Sequence, residues 1–232
     1  MTARSEQPRS RRERPAKPAL TRAGIVAAAV GITRAEGLPR ATMRRLATEL
    51  DTGPASLYVY VRNTAELHAA VLDELLSGVD LGPVRAGGDW RERLENVLTS
   101  YTHVLFTHPG LAQSALVARP AGEHYVRLVE ALLTLLAAGG VPGGQAAWGV
   151  DLLLQYATAT AAEHVDEDPA VDADADWDVL AATVRKASSE AHPHIAAVSG
   201  ELLSGSGRTR LSWGFRVLIN GISGTPRPDP LS

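Results

Sequence analysis

The sequence predicts an all-α protein, with an N-terminal three-helix helix-turn-helix head and a C-terminal helical bundle. Apolar residues recur at spacings of three and four along most of the 232 residues, and no stretch alternates as a β-strand does. Aromatic residues make up only 5% of the chain, so Leu, Val and Ala must fill the core, which suits helix packing. Ser, Thr, Asn and Asp stand where helices should begin, and Gly or Pro where they should end.

Two short helix patterns joined by a tight turn lie within residues 42–67. Thr42 is a good N-cap, and Pro54 suits the first position of the next helix, because its missing N–H has no partner there. Asn63 then caps a further helix, with Glu66 three residues later completing a capping box. This order of signals predicts a helix-turn-helix, in which the second helix enters the major groove of DNA.

Other helix signals surround this segment. A first helix is predicted from about Arg22 to Glu36, between a capping Thr21 and Gly37. A Gly/Pro-rich break at residues 82–88 marks a boundary, and an acidic loop is predicted over 166–176. The body helices behind the break are predicted at about 89–107, 110–116, 121–138, 144–164, 177–190, 193–203 and 209–222.

Charge divides the chain into two unequal parts. Residues 1–66 contain 12 Lys and Arg against 6 Asp and Glu, whereas the other 166 residues contain 11 against 20. A basic front and an acidic back are typical of a DNA-binding unit joined to one that does not bind DNA. We therefore expect a disordered basic arm over 1–19, a DNA-binding head over 20–66, and a ligand-binding and dimerisation body over 67–232.

The run A-S-L-Y-V-Y-V-R-N, residues 55–63, resembles the recognition-helix signature of the tetracycline-repressor (TetR) family of bacterial transcription regulators. The shared features are a Leu-Tyr pair, an aromatic residue two positions later, and a basic-Asn step into the next helix. Thr42, Arg44, Leu46 and Ala47 match the family's Thr-x-Arg-x-Leu-Ala run. The resemblance is strong over residues 20–76.

Two positions depart from the family pattern. Asp51 stands at the turn position that Gly usually holds, although Asp also tolerates the left-handed backbone that ends a helix. Thr64 stands where a Lys commonly follows the Asn, which removes one phosphate contact. The family's tetracycline–magnesium site is not recognisable, because Asp80 stands where a His would be offered.

Roles in the head follow from side-chain chemistry and from the resemblance. In the family the position of Arg44 often reads a base, and a guanidinium can donate two hydrogen bonds to guanine. Small residues early in the recognition helix allow close approach to bases, while hydroxyl and guanidinium donors suit phosphate oxygens. Tyr58 could contact phosphate or pack in the core. The predicted DNA-binding residues are Thr42, Arg44, Ala55, Ser56, Tyr58, Tyr60, Arg62 and Thr64.

The resemblance implies a homodimer that binds a palindromic operator in double-stranded DNA, most often as a repressor, and is released by a small-molecule effector. The dimer would form through the helices at about 144–164 and 209–222, where Gly214 and Gly221 permit close packing. Polar or amphipathic residues on apolar body helices are candidates for the effector pocket. These residues are Tyr101, His103, Gln113, Tyr125, Trp148, Gln155, Tyr156, Thr160 and His164.

We expect no cofactor, no metal site and no catalytic residue. The Asp-x-Asp-x-Asp run at 172–176 lacks the Gly and Glu that a calcium loop needs, and no nucleotide-binding or hydrolase motif occurs. The absence of Cys and of a membrane span suits a cytoplasmic protein. Two alternatives remain open, an architectural DNA-binding protein without an effector and an all-α enzyme.

Overall fold

The computed structural model describes residues 19–108, 110–117, 120–163 and 173–228. Over these residues the protein is all-α, as the sequence predicts, and contains no β-strand. The predicted basic arm lies outside the described residues except for Ala19. The helices are α1 (Arg22–Glu36), α2 (Met43–Glu49), α3 (Pro54–Leu57), α4 (Thr64–Leu75), α5 (Trp90–Thr107), α6 (Leu111–Val117), α7 (Glu123–Ala138), α8 (Gly143–Glu163), α9 (Ala173–Arg185), α10 (Pro193–Leu202) and α11 (Gly207–Gly224).

The helices of the head begin at the predicted caps. Side-chain oxygens of Thr21, Thr42 and Asn63 each accept a hydrogen bond of 2.8–3.2 Å from the backbone N–H three residues later. Glu66 differs from the prediction, because its carboxylate accepts from the backbone N–H of Arg62, at 2.9 Å, instead of closing a capping box on Asn63. These caps determine where α1, α2 and α4 start.

The turn between α2 and α3 has the predicted left-handed residue. Asp51 has a φ of 47°, and Pro54 occupies the first turn of α3. The α-helical part of α3 is only four residues long, and residues 58–60 continue it as a turn. Ile25, Leu46 and Leu57 are fully buried and hold the three helices of the head together.

The body is a bundle around α8. Helices α5, α6, α7 and α11 all pack against α8, and α11 also contacts α5. The pair α8 and α11 approach closely, because Gly149 lies beneath Ile222 and Gly214 lies beneath the hydroxyl of Tyr156. Gly214 therefore serves packing inside the subunit, whereas Gly221 is exposed and has open space above its Cα.

Helix α9 begins earlier in the chain than expected. The sequence prediction starts a helix near residue 177, but α9 already begins at Ala173. The end of the predicted acidic loop is therefore helical. The rest of that loop lies outside the described residues. None of the helices in the described residues is long and apolar enough to cross a membrane.

Helix α4 connects the head to the body. Leu67 and Val71 are fully buried, and α4 packs against α1 of the head as well as α6 and α7 of the body. On the head side, His68 Nε2 lies 3.2 Å from the carbonyl oxygen of Ala41, directly before the cap of α2. Helix α4 therefore contacts both units.

Candidate DNA-binding surface and effector cavity

The end of α3 and the following turn present large side chains to solvent. Tyr58, Val59 and Tyr60 are 52%, 80% and 38% exposed, although Leu57 and Val61 on either side are buried. The alternative of a core role for Tyr58 therefore does not hold. A helical segment that buries one face and exposes aromatic hydroxyls on the other can place those hydroxyls on DNA phosphates.

Two neighbouring arginines on α2 have different surroundings. The guanidinium of Arg45 donates to Glu49 at 2.7 Å and to Glu36 at 2.9 Å, and these bonds raise its pKa, with Glu49 the larger cause. Arg44 is exposed and has no acidic partner within the described part of the chain. Arg45 thus links α2 to α1, while the side chain of Arg44 is exposed to solvent.

The remaining predicted DNA-binding residues also lie on the exposed side of the head. Ala55, Ser56, Thr42 and Thr64 are all exposed, and the Thr42 hydroxyl already serves as a cap. The Arg62 side chain is 87% exposed and pairs with Glu66 at 3.1 Å. Hydrogen bonds from Arg62, first from its backbone N–H, lower the pKa of Glu66.

A cavity of about 430 Å³ lies between α4, α5, α6, α7 and α8. Leu72 of α4, Ala115 and Leu116 of α6, and Leu154 of α8 supply its main apolar lining. Because Leu72 belongs to the helix that leads into the head, an occupant of this cavity would touch that helix directly. The volume suits a small organic molecule.

Hydrogen-bonding groups also line the cavity. The hydroxyls of Tyr101 and Thr158 are 2.8 Å apart, and burial raises the pKa of Tyr101 to about 12, so its phenol stays neutral near pH 7. Gln155 Nε2 donates to Asp151 Oδ2 at 2.6 Å. Tyr125 of α7 also lines the space. A mostly apolar pocket with a few such groups is a common form of ligand site.

Of the predicted pocket residues, the structure brings Tyr101, Tyr125 and Gln155 together in this cavity. Asp151, Thr158 and Leu72 also line the cavity but were not among the residues predicted from the sequence. The first two had a usable signal, because residues 151, 155 and 158 have the spacing of one helix face. Leu72 had no such signal in the sequence, since an apolar Leu on α4 is expected to be an ordinary core residue.

Other predicted pocket residues lie elsewhere. Tyr156 packs edge-to-face on Phe215 of α11, with ring centroids 5.5 Å apart, and His103 is exposed on α5. Gln113 Nε2 lies 3.4 Å from the carbonyl oxygen of Ala162. Thr160 and Trp148 are absent from the cavity lining, and His164 lies outside the described residues. Helical periodicity could not separate these positions, because several faces of α5 and α8 carry amphipathic residues.

Trp148 belongs to an exposed apolar surface on α8 and α11. It is 57% exposed and lies above a groove of about 490 Å³ that Leu152, Val217 and Gly221 also line. The guanidinium of Arg227 is 5.2 Å from the Trp148 ring centroid. We call this the α8/α11 face. Its members are Trp148, Leu152, Val217 and Gly221.

Comparison with known proteins identifies the family. Residues 82–225 match the family model of the tetracyclin repressor-like C-terminal domain. The chain belongs to the TetR family. Within the described residues, no cluster of three His, Asp or Glu side chains suits a metal ion.

Solved structures of TetR-type proteins resemble this chain over most of its length. The candidate transcription regulator SCO7704, from a Streptomyces species, is 58% identical, and the match covers 92% of this chain and 100% of that one, with a TM-score of 0.77. The TetR family protein ActR of Streptomyces coelicolor, in complex with actinorhodin, is 33% identical, covering 88% and 96% of the two chains, with a TM-score of 0.79.

Curated TetR-type relatives match over a shorter region. The HTH-type transcriptional repressor DrrR1 of Streptomyces coeruleorubidus is 37% identical over 120 residues, which is 52% of this chain and 44% of DrrR1. The match to a second curated relative, an HTH-type transcriptional regulator of Saccharopolyspora erythraea, covers 52% of that protein. The chain thus spans about half the length of the curated relatives it matches.

Proposed function

We propose that this protein is a homodimeric transcriptional repressor that binds a palindromic operator and is released when a small molecule fills the cavity. It acts through binding in the cytoplasm and catalyses no reaction. The observation that carries the proposal is that one helix, α4, lines the cavity through Leu72 and contacts the head through His68. An effector-controlled regulator needs an element that connects its ligand-binding unit to its DNA-binding surface.

The DNA contacts divide by chemistry. Arg44 reads a guanine edge from α2, and Ala55 and Ser56 approach bases at the start of α3. The hydroxyls of Thr42, Tyr58, Tyr60 and Thr64 and the guanidinium of Arg62 contact phosphates and set the register. Support for this division comes from the exposure of these side chains and from the buried Leu57 and Val61 beneath them.

Dimerisation uses the α8/α11 face. One head covers one half-site, so specific binding needs two heads about 34 Å apart. Trp148, Leu152 and Val217 expose apolar surface that a second copy would cover by a two-fold contact of α8 and α11.

Effector binding acts by a population shift. An occupant of the cavity must press on Leu72 and on the wall containing Tyr125, so it favours one position of α4 over another. The favoured position would set the two heads at a spacing that no longer fits consecutive major grooves. The effector shifts this equilibrium only as far as its affinities for the two states differ.

The effector is a small organic molecule with an apolar body and a few hydrogen-bonding groups. The relative ActR has been solved with actinorhodin, which makes that compound the first one to test. Tyr101, Thr158, Gln155 and Asp151 offer hydrogen-bond partners, while Leu72, Leu116 and Leu154 supply apolar contacts.

Selection of genomic DNA fragments by the purified protein tests the proposal. The best fragment is then titrated by fluorescence anisotropy across a salt series, and actinorhodin and related aromatic compounds are added to the complex. We expect the protein to bind a discrete two-fold symmetric site and to be released from it by at least one compound. Weak binding spread evenly over all fragments would contradict the proposal and favour an architectural DNA-binding protein.

A variant that fills the cavity tests the effector site, and a second variant on the same helix is its matched control. Ala159 lines the cavity at its exposed side, so Ala159→Trp should fill the space without disturbing the core. The variant should bind the operator but resist release by the compound. Ala147→Trp, at an exposed position of the same helix outside the cavity lining, should be released like the unaltered protein.

A further inference from the structure

Helix α7 obtains its N-terminal cap from a different helix. Its own N-cap residue is Gly122, which has no side chain to accept a hydrogen bond. Asp73 Oδ1 of α4 instead accepts from the backbone N–H of Tyr125, the third residue of α7, at 2.9 Å. That N–H is one of those a local cap would satisfy, and the carboxylate also lies at the positive end of the α7 dipole.

Gly122 permits this arrangement by having no side chain. A Cβ on Gly122 would overlap the Asp73 carboxylate, so the two residues are in direct contact. The φ of Gly122 is −95°, an extended conformation open to any residue. The glycine therefore provides space for Asp73 and is not needed for its backbone freedom.

The capped residue also belongs to the cavity. Tyr125 uses its backbone N–H to bind Asp73 while its side chain lines the cavity. Asp73 directly follows Leu72 on α4, the helix that reaches Ala41 in the head through His68. A second polar pair between α4 and α7, Glu74 and His124, is longer, at 4.0 Å. Asp73 is thus the close polar link between Tyr125, which lines the cavity, and α4, the helix that contacts the head.

We propose that Asp73 is a positioning residue that couples the cavity to the DNA-binding head by capping α7 from α4. This inference rests on the proposed function. When the head binds the operator, α4 takes one position and carries the cap with it, so the first turn of α7 is held differently in the DNA-bound and free states. Linkage requires the effect to be reciprocal, so a cavity occupant beside Tyr125 changes operator affinity by the same factor by which the operator changes the occupant's affinity.

The test uses the full-length protein and the operator fragment itself as the probe. Hydrogen exchange is measured for a peptide covering residues 121–127, with and without operator. In the unaltered protein, operator binding should change the exchange rate of this peptide. In Asp73→Ala the cap is lost, the free protein should exchange about fivefold faster there, and the change on operator binding should disappear.

A double variant separates coupling from simple helix capping. Asp73→Ala removes the carboxylate that excludes a side chain at position 122, so Gly122→Ser can be added to supply a local cap. Asp73→Ala/Gly122→Ser should restore the slow exchange of the free protein but remain insensitive to operator. A cap with only a structural role would instead restore both properties.

Failure of the coupling can be distinguished from failure of the proposed function. Anisotropy titration comes first, and absence of a specific operator there overturns the proposed function and the coupling together. If the unaltered protein binds its operator specifically while residues 121–127 exchange equally with and without it, the coupling alone is wrong. The coupling is also wrong if the double variant responds to operator as the unaltered protein does.

Discussion

Two exposed surfaces of this protein carry large side chains, and they differ in the charge around them. On the head, Tyr58, Val59 and Tyr60 are exposed at the end of α3, which packs against α2 with its exposed Arg44, and the exposed Arg62 follows two residues later. On the α8/α11 face, Trp148 and Leu152 lie beside a groove whose lining contains one charged residue, Arg227. Exposure alone therefore does not identify a partner. Cations beside aromatic hydroxyls suit a polyanion, whereas a groove with one stacked cation suits another apolar surface.

The largest expected effect is a charge placed on the apolar surface. Trp148→Glu puts a carboxylate into the proposed dimer contact, and loss of a central Trp typically weakens association by roughly 2–4 kcal/mol. Analytical ultracentrifugation should therefore find monomers at concentrations where the unaltered protein is dimeric, and operator affinity should fall with dimerisation.

The reciprocal change is made on the other surface. Val59→Glu introduces the same charge at a residue 80% exposed on the head. It should leave the dimer intact and weaken binding to every DNA sequence, because the new carboxylate repels phosphates. Dissociation of the dimer by Val59→Glu would refute the assignment of the two surfaces.

A smaller effect is expected from Arg44→Ala. Loss of a bidentate contact to guanine reduces discrimination by about 1–3 kcal/mol, so affinity for the operator should fall more than affinity for unrelated DNA. Arg45→Ala is the control next to it, since Arg45 is already paired with Glu36 and Glu49. Equal losses of operator affinity in both variants would contradict the distinction between the two arginines.

Tyr58→Phe removes one hydroxyl from the head without changing its shape. The loss of a hydrogen bond to phosphate should weaken binding by about 0.5–1.5 kcal/mol on all sequences alike, as measured by anisotropy. Tyr156→Phe removes the same group inside the body, where it should leave DNA binding unchanged. A change in sequence preference for Tyr58→Phe would mean that Tyr58 reads bases.

The smallest effect concerns the contact between head and body. Partial burial lowers the pKa of His108, and Arg34 of the head lowers it further. The folded protein thus prefers neutral His108, so its stability should be greatest above the ordinary His pKa of 6.5 and decline as the pH falls below it. Thermal unfolding across this window, compared with His108→Gln, should show a weaker pH dependence in the variant.

The head was predictable because its signals are local. Thr21, Thr42 and Asn63 each cap a helix through an N–H only three residues away, so short stretches of sequence contain the whole interaction. Asp51 and Pro54 determine the turn in the same way. The DNA-binding surface then follows from which residues of a short helix are left exposed.

The cavity was only partly predictable because its walls come from distant segments. Tyr101 and Thr158 form one hydrogen bond although 57 positions separate them, and no spacing rule connects them. Trp148 was predicted in the pocket because an amphipathic residue on an apolar helix suits either a cavity or a subunit contact. Only the packing of α8 against α5 and α11 decides which face each residue occupies.

The close approach of Asp73 to Gly122 affects which substitutions these two positions can accept during evolution. A side chain at position 122 collides with the carboxylate, while loss of the carboxylate leaves α7 without a cap. Substituting either position alone therefore removes the present cap of α7, and a new side chain at position 122 has to replace it. Among descendants of a common ancestor, Asp73 should accompany Gly122, and a small residue at 73 should accompany Ser, Thr or Asp at 122.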